Sequence, residues 1–165
     1  MPLYLNVILS FVVALVVHEL GHLLAARACK ISVTQVGFGW GPRLYSKRVN
    51  SLDCYLRLLP IGAYIRMDMA ALQRRSLPQQ LVVLLAGIAV NLMFAGVAWG
   101  TIFGTVNLAL ALANLLPLYQ QDGWKGGMLI CRRALGRRSQ MIEWTFTISG
   151  AAMSIFLLAV GVITF

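Results

Sequence analysis

Residues 76–121 carry not one charged side chain. A hydrocarbon core is crossed by roughly 20 apolar residues, so a run of this length is too long for one span and suits two. The spacing predicts helices over about residues 78–100 and 104–121, with a turn near the cluster Gly100, Gly104 and Asn107. Two further apolar runs cover residues 3–28 and 145–165. Together they predict a membrane all-α fold of four transmembrane helices in a single domain over residues 1–165. Only 12% of the residues are charged, about half the share of a water-soluble domain, which fits lipid as the main solvent.

Charge fixes the expected orientation. Apart from Glu19, every Asp, Glu, Lys and Arg lies in or at the edge of residues 27–75 and 122–143. Four spans place these two segments on one face, and together they hold all 14 basic residues. The positive-inside rule makes that face cytoplasmic and puts both termini outside, in what is expected to be a bacterial plasma membrane. The net charge of +9 is thus read as attraction to anionic headgroups of the lipid bilayer. Nucleic acid is excluded as a partner, since no basic helix or recognised module carries it. Arg132, Arg133, Arg137 and Arg138 are expected to form a headgroup-binding face, and Tyr4, Trp99 and Trp144 interfacial anchors. Cys29, Cys54 and Cys131 fall in the cytosolic segments, where thiols stay reduced. Ala26-Arg27-Ala28-Cys29 resembles a signal-peptide cleavage site, but residues 1–17 lack the basic n-region that such a peptide needs.

Between the first two spans, residues 29–75 are expected to build a small membrane-surface β-sheet or hairpin. Residues 31–38 alternate with β-branched enrichment. Residues 43–49 and 52–58 flank Asn50-Ser51 as a hairpin, and residues 62–67 continue as another extended piece. Such a sheet either rests on the membrane or offers an edge to an unwound substrate by β-addition.

The chemistry is concentrated in His18-Glu19-Leu20-Gly21-His22. Imidazoles at i and i+4 share one helix face, as a common metal ion requires. Ionisable groups inside a membrane span are costly and mark function, and these are the only two histidines in the chain. Zinc lowers the pKa of bound water to about 7, within reach of a carboxylate base such as Glu19. A hydrolytic zinc site wants a third protein ligand and an open position. Position 28, where a third histidine would serve, is Ala28; Glu143 sits beside Trp144 at a membrane edge; Asp53 and Asp68 lie in the expected sheet. Thiolates favour closed structural sites. Asp122 remains, at the cytoplasmic end of the third span, after Pro117 interrupts that helix.

Asn114-Leu115-Leu116-Pro117-Leu118-Tyr119-Gln120-Gln121-Asp122-Gly123, together with the histidine motif, resembles the site-2 protease family of intramembrane zinc metalloproteases. The likeness extends to residues 37–42, to residues 59–64, and to Ala86-Gly87 with Asn91. It implies one zinc ion per chain, held by His18, His22 and Asp122, with Glu19 catalytic. It implies a zinc endopeptidase acting on transmembrane protein substrates, either regulatory proteins or signal-peptide remnants. It further implies that Asn114 holds substrate backbone near the metal, and that Gly62, Ala63 and Tyr64 guide a substrate strand. Asn91 either contacts substrate or bridges helices. Ile88 stands where the family often has Pro, and Ala63 where it often has Gly. The chain reads as a catalytic core without a PDZ or CBS domain, so a separate regulatory or adaptor protein is an expected partner. A catalytically silent relative that binds metal or membrane proteins is the alternative reading, and a metal channel using the histidines as a relay is a weaker one.

Overall fold

A computed structural model describes residues 2–134 and 140–164. Its elements in chain order are α1 (Leu3–Ala28), β1 (Val33–Val49), β2 (Leu52–Met67), α2 (Met69–Gln73), α3 (Leu77–Val97), α4 (Ile102–Leu115), α5 (Asp122–Ala134) and α6 (Gln140–Thr164). They fall into two compact units, Met1–Ala111 and Leu112–Phe165.

In the first unit, α1 packs along α3 and against the sheet. The buried stripe of α1 is Ser10, Ala14, His18, Gly21, His22 and Ala26; that of α3 is Gln80, Val83, Gly87, Ile88, Asn91 and Ala95. Both stripes follow the three- and four-residue spacing of one helix face, and both are rich in small or polar side chains, with Val83 and Ile88 on α3 as the larger apolar members. Other large apolar residues point outward, among them Leu9, Phe11, Val13 and Leu20 on α1 and Val82, Leu92 and Met93 on α3. A helix in the core of a soluble protein does the reverse. With mean hydropathies of 2.1 and 2.2, α1 and α3 are the two helices, among the described residues, long and apolar enough to cross a membrane. Small residues let the two backbones approach: a Cβ on Gly21 would stand 2.7 Å from the carbonyl oxygen of Ala86.

The break between α3 and α4 falls at residues 98–101 and includes Gly100 of the expected cluster, at φ 79°, while Gly104 and Asn107 lie inside α4. Thr101 accounts for the early restart, since its Oγ1 accepts the N–H of Gly104 at 3.0 Å and caps α4. Helix α4 has 14 residues, about 21 Å of helix, and stops at Leu115, two residues before Pro117.

β1 and β2 form an antiparallel sheet whose hairpin turns at Asn50-Ser51, with Val49 opposite Leu52 and Arg48 opposite Asp53. Asn50 takes the left-handed conformation (φ 56°) that an asparagine tolerates in such a turn. The strands do not break where interruptions were expected around Gly39 and Gly41. Both glycines adopt positive φ and bend β1; its first part pairs with Ala63, Tyr64 and Ile65 and also with residues 53–56, and its second part pairs with residues 52–56 of the hairpin. The short helix α2 was not foreseen; Asp68 Oδ1 accepts the N–H groups of Ala70 and Ala71 and starts it. Ala26, Ile31, Val33, Leu72 and Val83 close the core where α1, α3 and the sheet meet.

In the second unit, α5 begins at Asp122 after a turn through Pro117, and α6 packs on that turn. Trp124 Nε1 donates to the carbonyl of Phe146 at 3.0 Å, and Tyr119 lies edge-on to the Trp124 ring. A Cβ on Gly150 would stand 3.0 Å from the carbonyl oxygen of Pro117, which explains a small residue there. Arg132 pairs with Glu143 at 2.8 Å. Arg137 and Arg138 lie outside the described residues.

Candidate metal centre and its groove

One turn of α1 separates His18 from His22, so their rings lie on the same buried face, edge-on to each other with centroids 4.9 Å apart. Both side chains are buried, and their Nε2 atoms are 3.2 Å apart. Two nitrogens bound tetrahedrally to zinc at about 2.0–2.1 Å are separated by about 3.3 Å, so the pair fits a shared ion without rearrangement. The space beside them is kept by Gly87: a Cβ there would lie 2.6 Å from Nε2 of both rings. Any other residue at position 87 would occupy the place where the two lone pairs converge.

His22 is oriented by the main chain of α3. Its Nδ1 lies 2.8 Å from the carbonyl oxygen of Val83, which can only accept, so Nδ1 carries the proton and Nε2 keeps its lone pair. His18 Nδ1 lies 3.3 Å from the amide of Asn91. Asn91 is 0% exposed and turned toward His18, so it bridges the two helices.

Glu19 sits on the neighbouring face of α1. Its Oε2 accepts the backbone N–H of Ile65 on β2 at 3.1 Å. Here α1 and the sheet enclose a groove of about 340 Å³, whose wall includes Val16, Glu19, Leu20, Phe38, Ala63 and Tyr64. Almost all of that wall is apolar, with the Glu19 carboxylate as its acid. Ala63 and Tyr64, two residues expected to guide substrate, thus share a cavity with the expected base. Gly62 adopts φ 91° at the bend just before them and is not part of the wall.

In the second unit, Asp122 is buried in the first turn of α5, where the helix N-terminus favours a carboxylate. Lys125 Nζ lies 3.0 Å from its Oδ1. This cation escaped the sequence reading, although its i+3 position on a helix was a signal that could have found it. The other acids are engaged elsewhere: Asp53 faces Arg48 at 3.6 Å, Asp68 caps α2, and Glu143 pairs with Arg132. Asn114 is half-buried near the end of α4.

Comparison with known proteins agrees with this geometry. Residues 6–106 match the model of Peptidase family M50. A Clostridium acetobutylicum protein described as "Putative zinc metalloprotease" is 31% identical over 136 residues, which is 76% of this chain and 40% of that protein. A Clostridium perfringens protein of the same description is 29% identical over 120 residues, or 65% of this chain and 36% of the relative. The regulator of sigma-W protease RasP of Bacillus subtilis is 33% identical over 69 residues, 39% of this chain and 16% of its own length. The chain therefore spans about two fifths of the length of the first two relatives. The family match takes in the histidine turn, Gly87, Asn91 and the groove, while Asn114 and Asp122 lie beyond it. Since the matched residues are those that hold the paired imidazoles and the acid beside them, the chain belongs to Peptidase family M50.

Proposed function

We propose that the chain is a zinc-dependent intramembrane endopeptidase, hydrolysing peptide bonds within or near the transmembrane segments of substrate proteins. The observation that carries this reading is the buried pair of Nε2 atoms 3.2 Å apart on a helix whose outward surface is apolar. His18, His22 and Asp122 would hold the ion, and bound zinc supplies Lewis acidity toward a carbonyl and acidifies water. Asp122 is the candidate third ligand: it is buried at the N-terminus of α5, where a carboxylate is favoured, with Lys125 Nζ 3.0 Å from its Oδ1.

Glu19 takes a proton from the attacking water and returns it to the leaving amine. The Ile65 N–H fixes the carboxylate at one side of the groove, which limits the rotamers that must be searched before reaction. A transmembrane helix hides its carbonyls in its own hydrogen bonds, so the substrate must first unwind. The apolar groove beside Glu19 suits an extended stretch of such a segment, with Ala63 and Tyr64 along it; the backbone-holding role of Asn114 follows from the family motif that contains it. Four spans, with both basic segments on the cytoplasmic side of a bacterial plasma membrane, complete the proposal.

The deciding experiment is co-expression with candidate single-span proteins, following loss of the membrane anchor. Wild type is expected to release the soluble portion and Glu19→Gln to leave it attached, a loss of about 10²–10⁴-fold in rate. Equal processing by both proteins defeats the protease reading and leaves a metal-binding or substrate-binding relative.

A further inference from the structure

We propose that Asn91 is a positioning residue for the metal: its Oδ1 accepts the Nδ1–H of His18 and fixes the tautomer whose Nε2 faces that of His22. This rests on the zinc reading above and deepens it. A cation between the two rings needs a lone pair on both Nε2 atoms, so each Nδ1 must carry a proton and each proton needs an acceptor. His22 has one in the Val83 carbonyl, 2.8 Å away. For His18 the group at that place is the Asn91 amide, 3.3 Å from Nδ1.

The amide as it stands turns Nδ2 to the ring and leaves Oδ1 buried with no partner. With Nδ2 forward, Nδ1 is an acceptor, the His18 proton moves to Nε2, and that proton aims at His22 Nε2, 3.2 Å away. The rings then bond to each other and offer one lone pair between them. A half-turn of the amide exchanges its two atoms, brings Oδ1 to Nδ1 and restores a lone pair at each Nε2. The oxygen is thereby given a donor, the amide nitrogen takes the place it held, and the imidazole is locked in its coordinating form.

Residue type also fits the place. Asn91 is 0% exposed on a helix surrounded by apolar side chains. A carboxylate would bind the Nδ1–H more strongly but would bring a charge into a poorly solvated site. A neutral amide orients the ring without that desolvation.

The test uses the full chain in lipid nanodiscs, with zinc affinity measured by competition against a chromogenic chelator. Asn91→Leu is expected to raise the zinc Kd about 10–100-fold. Asn91→Asp, which keeps an acceptor at the ring, is expected to stay close to wild type. Only two histidines are present, so ¹⁵N-histidine NMR of the zinc-loaded wild type reports both rings separately. Protonated Nδ1 on each is expected, and this readout needs no variant should Asn91→Leu fail to fold. A wild-type Kd in Asn91→Leu, or a bare Nδ1 on the His18 ring, overturns the proposal while leaving the protease reading intact. Absence of zinc binding by wild type, or binding untouched by His18→Ala, instead removes the metal site itself.

Discussion

Along α1 and α3 the buried stripe is the polar one, whereas in β1 the buried residues are Val33, Gly37 and Gly39 and the charges point outward. The two regions touch each other in one unit and both expose large apolar side chains, Trp40, Leu44 and Tyr45 on the hairpin included, but the hairpin adds exposed charges along its length. Ser10, His18, His22, Gln80 and Asn91 turn inward from the helices. Arg43, Lys47 and Arg48 are exposed on the hairpin, with the Arg43 guanidinium 4.5 Å above the Tyr55 ring. Such a contrast follows if the helices meet hydrocarbon and the hairpin meets water or headgroups. It also explains where the groove lies. At the seam, one wall is a helix with an apolar outward face and the other the sheet, and Glu19 reaches across to the backbone N–H of Ile65.

The contrast breaks most visibly by placing the same charge in both regions. Val13→Arg, on the outward face near the middle of α1, is expected to cost about 2.5–3.5 kcal/mol of insertion free energy. Leu44→Arg, on the hairpin, is exposed to a similar degree and is expected to change stability by no more than about 0.5 kcal/mol. Insertion efficiency and thermal melting in nanodiscs measure both, and equal tolerance would mean that water, not lipid, covers α1. A smaller effect sharpens the border between the regions. Asp68 caps α2 where the sheet hands the chain to α3, and Asp68→Ala is expected to lose about 1 kcal/mol, read as a lowered melting temperature. Smallest of all, Arg48→Ala removes an exposed pair with Asp53 at 3.6 Å and is expected to cost less than about 1 kcal/mol, shrinking further in high salt.

Much of this arrangement was legible because it is periodic. The four-residue spacing of His18 and His22 and the Asn50-Ser51 turn are local signals, and the structure honours both. The continuity of β1 was hidden because Gly39 and Gly41 look like breaks in a sequence and act as bends in the fold. The partners of the site residues were hidden for another reason. Val83 reaches His22 across 61 positions, and Ile65 reaches Glu19 across 46. In both cases the group involved is a peptide carbonyl or N–H, which every residue possesses, so no side-chain pattern can announce it. Gly87 was noticed as part of a resemblance, but its reason is steric and appears only once two imidazoles stand over it.

That a peptide oxygen steadies His22 has a consequence for anyone scanning this protein by mutation. Side-chain replacement at position 83 leaves the carbonyl in place, so a saturation library would score this support as dispensable although it is the shorter of the two imidazole contacts. Reaching it calls for chemical synthesis: an ester in place of the amide between Val83 and Leu84 would weaken the acceptor while every genetically encoded atom outside that linkage stays the same.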